Sequence, residues 1–284
     1  MSNFARDHEI ETESASSLAF GPYELVRTLR AAKSAERHLA LHPELLTNHV
    51  AYRIRFTNPR TQRRRFLEAV EKAAALDIAH ILKVEQFSFT SQQEAWVISP
   101  YTGNHDGLLL LSDLLAVKGG KMEAIEVVRV LDHLLEAVGA AHNAGVVNGT
   151  IQIDEIHVDR AGSLSIELYG VATAMQGEQD MDELRLAELR SIASIAYKLL
   201  TGVDASEDVL IEPTRLVQKL DNSWNAFFAE ALDPVGGFQT STEMLAAIPG
   251  RRTSVAMPEV RVRTVNAFGF GRLRSKNNAT TRSR

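Results

Sequence analysis

The 284-residue chain contains no cysteine. That excludes disulfides, thiolate metal sites and cysteine nucleophiles together, and it suits a reducing compartment. Also missing is any apolar run long enough to cross a bilayer. The N-terminus, MSNFARDHEIETESASS, is acidic and polar, whereas a signal peptide is basic and then apolar. A cytoplasmic address is expected. Several chemistries lack their signatures. There is no H-E-x-x-H, and no carboxylate completes a zinc set around His38, His42 and His49, which read as scattered polar histidines. There is no G-x-S-x-G and no Walker A, since the LTG and VGG stretches lack a following Lys and hydroxyl residue. AFGFGRL at 267–273 is followed by no helix, so it reads as an apolar hook and not a dinucleotide loop. Its Phe268 and Phe270 suit docking on a partner or on the domain itself.

Charge is unevenly spread. From Arg251 to Arg284 there are nine Lys or Arg against one acid, Glu259, while the first 250 residues hold 22 basic and 35 acidic residues. An acidic body therefore carries a basic tail with little to bury, read as disordered. Such a tail can anchor on nucleic acid, anionic lipid or an acidic partner. A solvated tail folding back on the acidic body is preferred, and nucleic acid is disfavoured, because no aromatic residue interleaves the basic ones after Phe270.

Residues 1–20 read as a flexible acidic arm. From Tyr23 the texture is β-like: YELVRTLR, HLALH and HVAYRIRF, where Val50, Tyr52, Ile54 and Phe56 alternate with Ala51, Arg53 and Arg55. TNPRTQRRR reads as a basic loop before a helix from about Phe66 to Leu76, with Phe66, Val70, Ala73 and Leu76 on one face. HILKVEQFSF and EAWVISPY read as two more strands. After Tyr101 the period changes. GLLLLSDLLAVKGG is a short helix ended by glycines. A long amphipathic helix follows, with Ile125, Val128, Leu131, Leu135, Val138 and Ala141 at spacings of three and four and Gly145 just past its end. A hairpin with its turn at Asp159–Gly162, a second long helix and two shorter ones complete the chain.

In this order the stretches YELVRTL, VAYR at 50–53, AAALDIAHILKV, AHNAGVVNGTIQIDEIHVDRAGSLSIELYG, SIASIAYKLLTG and FFAEALDPVGGFQTSTEML resemble protein kinases, specifically the bacterial Ser/Thr type. The resemblance covers about residues 21–248. It implies an α+β, two-lobed fold: a strand-rich N-lobe with one helix at 21–101, a mainly helical C-lobe at 102–249, and a basic disordered tail at 250–284.

The resemblance also names the groups that should carry chemistry, and each is altered. The phosphate-cradling G-x-G-x-x-G matches Arg30, Ala31, Ala32, Lys33, Ser34 and Ala35, so every glycine that lets backbone approach phosphate is gone. Arg30 and Lys33 could contact an anion; solvated loop charges are the plainer reading. The strand lysine matches Arg53, and Ala69 stands where its glutamate partner belongs, so a structural ion pair is expected of Arg53. The catalytic loop matches Asn148 to the histidine, Gly149 to the arginine, Thr150 to the base and Glu155 to the metal-binding asparagine. Thr150 cannot act as a base near neutral pH. The D-F-G turn reads Leu168-Tyr169-Gly170: an apolar side chain replaces the Mg²⁺ ligand and is expected to fill the space of metal and phosphate, with Glu167 turned to the opposite face. Gly170 and Glu188, which matches the buried residue opening the next long helix, are only 18 apart, and no A-P-E occurs. Ser99 and Tyr101 of the hinge strand remain as positions of an adenine-sized pocket, although Pro100 removes a donor there.

The expectation is a catalytically inactive kinase-like (pseudokinase) domain acting as a binding, scaffolding or regulatory module with no cofactor. The alternatives are a Ser/Thr kinase homologue that senses ATP without Mg²⁺, and an unorthodox kinase. The sequence names no protein partner.

Overall fold

The computed structural model describes residues 19–32, 34–103, 109–177, 179–206 and 210–251. The acidic arm before residue 19, Lys33 and the basic tail after residue 251 lie outside the described residues. The α+β fold is as the resemblance implies. Six antiparallel strands form one sheet: β1 (Ala19–Phe20), β2 (Tyr23–Thr28), β3 (Glu36–His42), β4 (Thr47–Arg55), β5 (Gln86–Phe89) and β6 (Glu94–Pro100), in the order β1-β2-β3-β4-β6-β5. A single helix, α1 (Pro59–Ala75), joins β4 to β5. The helical part follows: α2 (Leu111–Val117), α3 (Ala124–Asn143), a 3-10 turn (Ile153–Glu155), the hairpin β7 (Ile156–Val158) and β8 (Leu164–Ile166), α4 (Val171–Gln176), α5 (Met181–Thr201), α6 (Pro213–Leu216), α7 (Ser223–Ala231) and α8 (Ser241–Ala247).

Helix α1 starts seven residues before its expected onset. The expected basic loop is its first two turns, because Pro59 occupies the first helical positions, where its missing N–H costs nothing, and the arginines that follow are good helix formers. In α3 the buried stripe is Val127, Val128, Leu131, Leu134, Leu135, Val138 and Ala141; Ile125, expected on it, is exposed at the first turn. The turn at Asp159 is set by its carboxylate, which accepts from the N–H groups of Ala161 (2.8 Å) and Ser163 (2.7 Å). Helix α5 ends at Gly202 with φ 77°, a left-handed cap that glycine takes without strain.

Two cores result. Beneath the sheet, Val50, Tyr52, Ile54 and Val97 pack with Phe66, Val70 and Ala73 of α1 and with Leu168. In the helical part, α3 and α5 pack with Trp224, Phe227 and Phe228 of α7. Behind the cleft the two parts are stitched by backbone: Leu82 N–H donates to Ile166 O at 2.8 Å, and Ile166 N–H to His80 O at 2.9 Å.

Candidate functional site

Arg37 of β3 pairs in register with Tyr52 of β4, so both side chains leave the sheet on the face toward the helical part. A charge on an apolar sheet face must find partners or unfold the site. Arg37 Nε donates to Glu167 Oε1 (3.0 Å) and Oε2 (2.9 Å), and its Nη2 donates both to Glu167 Oε1 and to the carbonyl of Asp154. Its Nη1 donates to the carbonyl of Arg30 at 3.0 Å. Glu167, directly after β8, has a second partner: His157 Nε2 of β7, 2.7 Å from Oε2. An ionised carboxylate only accepts, so that nitrogen carries the proton. The Tyr52 hydroxyl lies 3.2 Å from the same nitrogen, and Thr102 Oγ1 lies 3.4 Å from His157 Nδ1.

This network is dry. Arg37, Tyr52 and His157 are 0% exposed and Glu167 4%. Burial works against the charge on Glu167, but the hydrogen bonds and charges of His157 and Arg37 outweigh it and hold the carboxyl below the usual glutamate range. Burial likewise opposes the Arg37 charge, and Glu167 more than restores it. The Tyr52 hydroxyl is pushed well up by burial and by the Glu167 charge, so it stays neutral.

The residues singled out in the sequence do not gather here. Arg53 is one residue out of phase: it lies on the outer face of the sheet, bound to Glu94 through Nε (2.6 Å) and Nη2 (2.5 Å), 3.6 Å from Glu36 and over the Trp96 ring. Tyr52, not Arg53, is the β4 residue that points into the cleft, because successive strand residues face opposite ways. Arg30 reaches across the mouth of the cleft to Asp113 (3.4 Å), Asp154 (3.5 Å) and Ser112 Oγ (3.2 Å), with its side chain more than half exposed. Ser99 is buried opposite Val50, and Tyr101 N–H donates to Asn48 O at 3.3 Å. Thr150 is exposed beside a groove of about 790 Å³ where α5 faces α7, away from the network. Glu155 closes the 3-10 turn, its Oε2 accepting from Gln152 N–H at 2.9 Å. Leu168 is buried under the sheet with Phe66 and Val70, at φ 44°. The offset that separates Glu167 from Leu168 turns Glu167 into the cleft, not away from it.

Around the cleft floor the loop is rigidly held. Asn148 Oδ1 accepts from Gly170 N–H at 2.8 Å, and Asn148 O accepts from the Thr173 hydroxyl. Glu188 lies two turns inside α5 rather than at its start; it is fully buried, with His142 Nε2 at 2.9 Å and Asn148 N–H at 3.4 Å.

No protein-family model matches the sequence. Among curated proteins it is similar to the serine/threonine-protein kinase PrkC of Bacillus subtilis, 23% identical over an alignment of 266 positions that covers 80% of this chain. The chain spans about two fifths of that relative's length. Two crystal structures of the Mycobacterium tuberculosis PknI kinase domain superpose with TM-scores of 0.64 and 0.65 at 19% identity, covering 82% of this chain and 98% and 97% of theirs. The chain has a protein kinase-like fold. The kinase-like cleft thus lies between the sheet and the β7–β8 hairpin, where the Arg37 network sits. Its residues do not fit a Mg²⁺-nucleotide. Tyr52, a neutral phenol, is the β4 side chain that faces the cleft, the Glu167 carboxylate is already paired with Arg37 and His157, Leu168 is buried beneath the sheet, and no acidic side chain of α1 is among that helix's buried residues. Among the described residues, no group of three or more His, Asp or Glu is placed to hold a metal ion, and no helix is long and apolar enough to cross a membrane.

The network was missed in the sequence because each member is unremarkable alone. One signal was present: Arg37 shares strand parity with Leu39 and Leu41, a charge on the apolar side of β3 that needs a buried acid.

Proposed function

We propose that this kinase-like domain does not transfer phosphate and serves as a binding or regulatory module, presenting surfaces instead of a reaction centre. The observation that carries this reading is the Arg37–Glu167–His157–Tyr52 network, which fills the kinase-like cleft with side chains of the protein itself. A nucleotide would have to displace a buried, fully hydrogen-bonded ion pair and leave its charges without partners. Thr150 supplies no base, and Glu155 is committed to its turn. The ATP-sensing alternative is less favoured, since Ser99, one of its pocket positions, is buried opposite Val50. The groove between α5 and α7 is a candidate surface for such a module, and a signalling role in the cytoplasm belongs to the same proposal. Incubation with γ-labelled ATP, Mg²⁺ or Mn²⁺ and a generic basic substrate should give no label above a protein-free blank. Incorporation that a Glu167→Ala variant loses would contradict it.

A further inference from the structure

We infer that Arg37 is a latch that holds the two lobes in one closed relation without needing a ligand between them. The inference rests on the contacts and not on the absence of catalysis, since a domain without chemistry could still breathe.

The lobes meet at a backbone seam, at the packing of α1 on α4 that carries Leu168 and Val171 into the sheet's core, and at the front of the cleft. At the back, Leu82 and His80 are stitched to Ile166 by backbone hydrogen bonds. At the front, Arg37 reaches from the sheet to two separate points of the C-lobe, the Glu167 carboxylate beyond β8 and the Asp154 carbonyl in the 3-10 turn. Tyr52 and His157 form a second tie beside it. The seam and the apolar α1–α4 packing hold the rear of the lobes and by themselves leave the front of the cleft free to rock. A fixed front point removes that freedom. A planar guanidinium suits such a latch, because it takes a carboxylate in one orientation, whereas an ammonium would swivel. Arg37 Nη1 also holds the Arg30 carbonyl, so the turn after β2 is drawn down onto the cleft. The Arg30 side chain adds a solvent-exposed tie to Asp113 and Asp154. Opening would pull a buried charge pair apart before water could reach either partner, so intermediate degrees of opening are disfavoured.

The lack of cysteine permits the test in the full chain. Leu45→Cys in the turn between β3 and β4, and Val235→Cys after α7, introduce the only two thiols at exposed positions, one in each lobe. Both are spin-labelled and the distance distribution is measured by double electron–electron resonance. The parent should give one narrow distribution. Arg37→Met should broaden it about twofold or more. Arg53→Met, whose ion pairs stay within the sheet, and Leu134→Ala, which weakens the helical core without touching the latch, should leave the width unchanged. A broad parent distribution, or a folded Arg37→Met protein with the parent's width, would overturn the latch. If Arg37→Met does not fold, the double variant Arg37→Met/Glu167→Gln, which leaves neither charge of the pair, is read by the same two criteria.

Discussion

Replacing Arg37 with methionine keeps much of the side-chain volume and removes the charge and every hydrogen bond it makes. Glu167 would then keep His157 and the Tyr52 hydroxyl but no positive guanidinium against its burial. Breaking a buried pair from one side costs about 3–5 kcal/mol, because the remaining charge is stranded. For a domain of this size each kcal/mol is worth about 2–4 °C, so the unfolding midpoint should fall by about 6–20 °C. Arg53→Met is the contrast. Its side chain is 30% exposed and its pair with Glu94 is partly screened by solvent, so the loss should be about 1 kcal/mol or less. The double variant Arg37→Met/Glu167→Met removes both charges and should recover most of the loss, since apolar replacements of a buried pair are often neutral. Thermal unfolding followed by far-UV circular dichroism reads all four proteins. An Arg37→Met loss no larger than that of Arg53→Met, or a double variant as unstable as Arg37→Met alone, would refute the buried-pair account.

Glu188 is displaced in the opposite sense to Glu167. Burial, the leading cause, raises its carboxyl above the usual range, and contacts with His142, Tyr169 and the Asn148 amide offset this only in part. The folded state therefore holds that proton more tightly than the unfolded state, and stability declines as pH rises from the ordinary glutamate range through the raised value. Glu188→Gln should flatten that decline, seen as urea midpoints that draw level with or exceed the parent's toward neutral pH while lying no higher at acid pH. At Gly170, with φ 75°, an added Cβ would stand 2.8 Å from Val146 Cγ1 and 3.3 Å from Val147 O. Gly170→Ala should cost at least about 2 kcal/mol, the left-handed penalty plus the clash, whereas Gly162→Ala, at φ 79° with nothing within 4 Å, should cost only the penalty of about 1–2 kcal/mol in the same urea titration.

What could be read from the sequence follows from which interactions are local. The alternation of Val50, Tyr52 and Ile54 marks β4, and the three- and four-residue spacing of Val128, Leu131, Leu135 and Val138 marks α3, because each pattern expresses one buried face. The ordered motifs carried the fold. The frame within β4 did not follow: Arg53 matches the strand lysine and is expected to form a structural ion pair, and it does pair with Glu94 and Glu36, but on the outer face, while strand parity puts Tyr52 in the cleft. The start of α1 was hidden because the arginines after Pro59 look like loop but are satisfied helix formers. The Arg37–Glu167 pair joins residues 130 apart in sequence, and nothing local announces such a partner. Thr150 and Glu155 were located by the motif, but only the structure shows one beside a surface groove and the other closing a turn.

The filling of the cleft is tested most directly by the thermal unfolding midpoint with ATP, in the presence and in the absence of Mg²⁺. A ligand held at a hundred times its dissociation constant adds about 2.7 kcal/mol, or about 5–10 °C here. The expected result is the same midpoint in all conditions at millimolar ATP. A rise of several degrees would contradict it: one that needs Mg²⁺ would restore the enzyme reading, and one that appears without Mg²⁺ would restore the nucleotide sensor.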